Sequence, residues 1–132
     1  MIQPGSVFRI PVTNTTPPKT KRLVILAISG DKACAGCLFL NSQINPNVFS
    51  TARLRGLHLP LEADGREYLD HNSYLDCSDI KDMDLNGLKE IISRDPSQHI
   101  GKLNDTDLQT AKEKLKNAPT ISKKQKEKYA LI

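Results

Sequence analysis

Long apolar runs are missing from this sequence. The longest, Leu23–Ile28, falls far short of the roughly 18–20 residues a membrane-spanning helix needs, which excludes such a helix. The opening Met1-Ile2-Gln3-Pro4-Gly5 has neither the basic start nor the apolar stretch of an export signal. Cysteine is scarce: three residues are an odd number and too few for a disulfide scaffold. Together these absences point to a cytoplasmic protein with no membrane association. Acids are nearly absent from the first 61 residues, where Asp31 stands alone against Arg9, Lys19, Lys21, Arg22, Lys32, Arg53 and Arg55.

Residues 62–95 reverse that balance, with ten Asp/Glu against Arg66, Lys81, Lys89 and Arg94, and the chain turns Lys-rich again after Lys112. A net charge of +4 therefore hides a segregation. A basic first half suits a polyanionic partner, because each neutralised phosphate releases counterions. The Lys-rich end reads more simply as a solvated surface. At 132 residues and 38% hydrophobic, the chain has room for one domain with a modest core. The expected division is a domain over 1–118 and a loose Lys-rich tail over 119–132.

The first half reads as strands. In Ser6–Val12 a period near two puts Val7 and Arg9 on one side and Phe8, Ile10 and Val12 on the other. Thr13–Thr20, polar and interrupted by Pro17-Pro18, reads as a loop. Leu23–Ile28, continuous and partly β-branched, reads as a strand buried on both faces. Cys37–Leu40 resumes as a strand, Asn41–Asn47 as a loop, and Leu57–Leu61 and Ser73–Cys77 are weaker strands. The second half is helical. Asp84 caps a segment with Leu85, Leu88, Ile91 and Ile92 on one face, ending at Asp95-Pro96. Asn104 caps another, with Asp105 and Asp107 in its first turn, Leu103 and Leu108 as a hydrophobic staple, and Leu108, Ala111 and Leu115 as its buried stripe. The fold class is mainly β, strands first and helices last.

Five segments in order carry a resemblance: Gly5-Ser6-Val7-Phe8-Arg9-Ile10, then Lys21-Arg22-Leu23-Val24-Ile25-Leu26-Ala27-Ile28-Ser29, then Leu38-Phe39-Leu40-Asn41-Ser42-Gln43, then Ser73–Lys81, and Ile100–Leu108. From about Ile2 to Asn117 the chain resembles the MazF/PemK toxin endoribonucleases of the CcdB/PemK superfamily. It departs from the family pattern at Ser6, where an acid is usual, and at Leu23, where the family has proline; either Asn41 or Ser42 fills a position usually held by Thr or Ser. The resemblance implies an SH3-like small β-barrel with a C-terminal helix and a short additional helix. It also implies a homodimer, metal-independent cleavage of single-stranded RNA without a cofactor, and a cognate antitoxin whose flexible segment fills the RNA groove.

Metal-free cleavage uses the ribose 2′-hydroxyl as nucleophile and needs a proton acceptor, a donor for the departing oxygen, and cationic stabilisation of the phosphorane-like state. Arg22 suits the last role, since a guanidinium fork binds two phosphate oxygens but is a poor base. Ser42 suits a hydrogen bond to a phosphate or leaving oxygen, with turn formation as its ordinary alternative. Lys19, Lys21, Asn41, Arg53 and Arg55 are candidate RNA contacts. His58, His71 and His99 are the orthodox acid–base residues, and none falls on a motif of the resemblance. Cys34-Ala35-Gly36-Cys37 with Cys77 lacks a second pair at zinc-ligand spacing and reads as buried thiols, so no metal is expected. Asp76, Asp79, Asp82 and Asp84 lack the Gly turn and final Glu of a calcium loop and read as an acidic face that keeps RNA on the basic side. Two other functions fit the same pattern: a non-catalytic SH3-like nucleic-acid-binding or regulatory module, and a gyrase-targeting toxin relative.

Overall fold

The computed structural model describes residues 2–12 and 19–132, so most of the loop expected over Thr13–Thr20, and the side chain of Val12, lie outside the described residues. Among the described residues seven strands make one antiparallel sheet, curled as a half-barrel: β1 Ser6–Val12, β2 Lys19–Ile28, β3 Cys34–Asn41, β4 His58–Leu61, β5 Ser73–Asp76, β6 Lys81–Asp84 and β7 His99–Lys102. Their order is β4-β5-β3-β2-β1-β7, with β6 also on β3. Among the described residues four α-helices accompany them, α1 Ala52–Arg55, α2 Leu85–Arg94, α3 Asp105–Asn117 and α4 Lys123–Lys128, with a 3-10 turn at Pro96–Gln98. The mainly β, small-barrel-with-helices class expected from the sequence is the one observed. Among the described residues no helix is long and apolar enough to cross a membrane.

Strand β2 is the spine. Its continuous apolar run is buried on both faces because alternation sends its side chains into two cores. Val24 and Leu26 join Val7, Leu38, Leu40, Leu75, Leu103, Ala111 and Leu115 in one. Leu23 and Ile25 join Phe8, Ile10, Cys37, Leu85, Leu88 and Ile92 in the other. Helix α3 covers the first face and α2 the second. β1 obeys the same alternation, with Val7 in the first core, Phe8 and Ile10 in the second, and Arg9 exposed.

Both long helices start where their caps stand. Asp84 accepts from the Gly87 amide at 2.7 Å and Asn104 from the Asp107 amide at 2.8 Å. Two side chains depart from the expected faces. Ile91 is 40% exposed, since α2 covers the sheet with Leu85, Leu88 and Ile92 alone. Asp107, not Leu108, joins Ala111 and Leu115 as a buried residue of α3, while Leu108 packs partly buried at the core's edge. β2 also begins at Lys19, inside the expected loop, because Lys19 and Thr20 pair with Val12 and Pro11 of β1.

The C-terminal stretch is not a loose tail. Ser122 caps α4, accepting from the Gln125 amide at 3.1 Å, and Ile121, Tyr129 and Leu131 are buried in the first core. The Tyr129 hydroxyl donates to Asp82 on β6, and its ring lies flat against Gly36, where a Cβ would meet ring atoms at 2.9 Å. The Lys-rich composition misled because the anchoring apolar residues flank α4 rather than belong to it, and of its lysines only Lys123 and Lys124 are exposed, Lys128 lying 3.7 Å from Asp82. Burial of three such side chains is worth roughly 1.5–3 kcal/mol each, enough to hold the stretch down.

Candidate functional site

At β3 the sheet forks. The Leu40–Asn41 end pairs with β5, and the Cys34–Cys37 end pairs with β6. On the first branch, Arg22 of β2 lies opposite Leu40, so the start of β2, the end of β3 and the start of β5 converge. They enclose a cleft of about 280 Å³ lined by Thr20, Lys21, Arg22, Leu40, Asn41, Ser42, Gln43, His71 and Ser73. Apart from Leu40, every lining residue is polar or charged.

Arg22 sits where β2 leaves the core: residues 19–22 pass from exposed to half-buried before the buried run begins. Its Nη2 donates to Asp70 Oδ2 at 2.6 Å, and its Nε is buried without a hydrogen-bond partner. Asp70 is the more open member, with its side chain 77% exposed against 23% for Arg22. A guanidinium has five N–H donors, so this single contact orients the fork without saturating it. The pairing also relieves repulsion from Arg9, which lies directly across from Arg22 on β1. Lys21 points to the other side of β2, where its Nζ donates to Asn41 Oδ1 at 3.3 Å and stands 5.9 Å from the centre of the Phe39 ring.

The structure thus gathers Lys21 and Arg22 of β2, Asn41 at the end of β3 and Ser42 just beyond it into one cleft. Lys19, Arg53 and Arg55 are not among its lining residues. Lys19 is exposed at the head of β2, and Arg53 and Arg55 occupy the short α1, where Arg55 donates to the Phe49 carbonyl at 3.0 Å. Thr20, Gln43 and Ser73 were missed by sequence reasoning, although the first two adjoin predicted residues. Asp70 had no signal at all, being 48 positions from its partner.

The histidines separate. His71 lines the cleft. His99 packs against Phe8 with ring centres 5.0 Å apart. His58 is buried on β4, edge-on to Phe49 at 4.3 Å, with neither ring nitrogen hydrogen-bonded. Burial pushes the His58 imidazole below the ordinary histidine range, opposed by the charge of Asp76. The folded protein therefore takes up this proton less readily than the unfolded chain. The resulting stability is complete above the ordinary pKa of about 6.5 and is lost as pH falls through the lowered folded-state value. His58→Leu should accordingly lose less melting temperature than the wild type between pH 7.5 and 5.5; equal losses would show that His58 does not carry this acid sensitivity.

The cysteines are free thiols, with Cys37 and Cys77 buried and both pushed up to about 12, chiefly by burial. Among the described residues, no three or more His, Cys, Asp or Glu are grouped to hold a metal ion. The acidic edge, Asp82 and Asp84 on β6, pairs with the Cys34–Gly36 end of β3, about 20 Å along the strand from Asn41. A second, apolar groove of about 350 Å³ beside α2 is lined by Ile2, Lys89, Ile92, Ser93 and Pro96 and collects no comparable polar set.

No protein-family model matches this chain, and no curated protein does. The site thus defines a small mainly β protein with a basic, polar cleft at the fork of its sheet.

Proposed function

We propose that this chain is a metal-independent endoribonuclease that cuts single-stranded RNA, acting as the toxin of a type II toxin–antitoxin pair of MazF/PemK type. The observation that carries this reading is the cleft itself, which Lys21 and Arg22, from the two sides of β2, line together with Asn41, Ser42 and Gln43. Two cations beside neutral hydrogen-bonding groups match a phosphodiester: Arg22 takes the non-bridging oxygens, Lys21 the neighbouring phosphate, and Ser42 the departing oxygen. The acidic edge on β6 stays at the far end of β3, where it does not repel an RNA strand entering the cleft. An antitoxin would fill the same cleft with a carboxylate-bearing segment, and a second copy of the chain would complete a homodimer.

Production of the chain from a tightly controlled promoter should arrest bacterial growth and deplete messenger RNA. Normal growth with abundant folded protein would count against the toxin assignment. One observation favours a second reading, a module that binds nucleic acid without cutting it: Arg22 already has an anionic partner in Asp70. Salt-sensitive RNA binding with no cut product would identify that module.

A further inference from the structure

We infer that His71 is the proton acceptor of the cleft, delivered to it by the connection between β4 and β5; this rests on the endoribonuclease reading above. Chemistry narrows the choice. Among the nine described residues that line it, Thr20, Asn41, Ser42, Gln43 and Ser73 carry hydroxyls or amides, Leu40 is apolar, and Lys21 and Arg22 carry strongly basic groups. A guanidinium holds its proton at any working pH, and a lysine ammonium is a donor with no free lone pair. Imidazole is the side chain whose ordinary pKa allows it to accept and release protons near neutrality. Among the described residues, His71 is the only imidazole in the lining.

The connection that carries His71 is built to hold it still. Asn72 Oδ1 accepts from the Ala63 amide at 2.9 Å, closing the base of the segment. Arg66 grips Asp107 of α3 through Nε and Nη2 at 2.9 and 3.0 Å, and donates through Nη1 to the Glu62 carbonyl at 2.9 Å. Tyr68 and Leu69 are buried in the first core, and Tyr68 lies so close to Gly101 that a Cβ there would stand 3.0 Å from its own Cβ. Ser73 Oγ donates to the His71 carbonyl at 2.9 Å. Between these anchors, Asp70 and His71 are exposed neighbours, one bonded to Arg22 and the other on the cleft wall. The same two-residue step therefore positions the cation and presents the base.

In the step, the ribose 2′-hydroxyl gives its proton to the His71 ring and its oxygen forms a bond to phosphorus. The bond from phosphorus to the 5′-oxygen breaks, and that oxygen takes a proton from solvent water. The proton on His71 returns to solvent and neutralises the hydroxide. The products are a 2′,3′-cyclic phosphate and a 5′-hydroxyl.

The experiment measures the cleavage rate of the full chain on a single-stranded RNA across pH, beside its affinity for the 2′-O-methyl form of that RNA, for the wild type, His71→Ala and His71→Gln. Both variants should cut about 10²–10⁴-fold more slowly. Their affinity for the methylated RNA should stay within a few-fold, the rising acid limb of the rate profile should vanish, and added imidazole should restore part of the rate of His71→Ala. Variants that cut at the wild-type rate with an unchanged pH profile would overturn the role of His71 and leave the endoribonuclease reading intact. A wild type that binds but never cuts would overturn both.

Discussion

Replacing Arg22 with alanine should lower the RNA cleavage rate about 10²–10³-fold, the range typical of losing one preorganised donor at a site of developing charge. The folded structure should survive, because the guanidinium lies at the cleft wall and its partner Asp70 is a solvent-exposed side chain. Arg22→Lys should recover little of the loss, since an ammonium keeps the charge but lacks the planar fork that holds two oxygens at once. Growth arrest should fall with the cleavage rate. A variant that melts like the wild type and still cuts would remove Arg22 from the chemistry. One that loses salt-dependent RNA binding where the wild type never cuts would support the binding module instead.

Tyr129→Ala should destabilise the protein by about 3 kcal/mol, the usual cost of deleting a buried aromatic ring. For a chain of this size that is about 10 °C in melting temperature. The ring is 3% exposed, rests on Gly36, and sends its hydroxyl to Asp82, so its loss frees α4 and leaves a void over the middle of β3. Gly36→Ala should cost about 1–3 kcal/mol by pressing a methyl into the same ring. The two effects share one contact, so the double variant should be more stable than the sum of the single losses predicts. Thermal melts of the four proteins test this; strict additivity would show that Gly36 and Tyr129 do not depend on each other.

The docked C-terminus marks where sequence reasoning stops. Lys123–Lys128 carries a lysine-rich face with no apolar stripe of its own, and its attachment depends on Ile121, Tyr129 and Leu131 joining the first core, with Tyr129 set on Gly36 of β3 and bonded to Asp82 of β6. Nothing local reveals that surface. β6 was hidden for a similar reason: Lys81-Asp82-Met83-Asp84 has almost no apolar side chain, and it is a strand because the Cys34–Cys37 half of β3 offers it an unpaired edge. By contrast, the Leu23–Ile28 run declared its two-faced burial, and the caps Asp84 and Asn104 placed both long helices within a residue.

The site divides along the same line. Lys21, Arg22, Asn41 and Ser42 were legible through the ordered segments of the resemblance; each stands where an apolar strand turns polar, and antiparallel pairing of β2 with β3 brings those two ends together. Asp70 was not, and nothing local set His71 apart from the other candidate bases His58 and His99, because the placement of both residues depends on the Arg66–Asp107 pair and on Tyr68 packing beside Gly101, contacts across 41 and 33 positions. Arg53 and Arg55 were grouped with the cleft by charge alone, and charge does not specify which end of a sheet a helix will occupy.

The central claim is that the cations of this cleft act on a ribose–phosphate linkage through the ribose's own hydroxyl. Its most direct test is product analysis after incubating the purified chain, in a chelator, with a single-stranded RNA and with its 2′-O-methyl counterpart. Fragments ending in a 2′,3′-cyclic phosphate and starting with a 5′-hydroxyl are expected from the RNA, and none from the methylated strand. Fragments from both strands, or an intact RNA after prolonged incubation with folded protein, would contradict it.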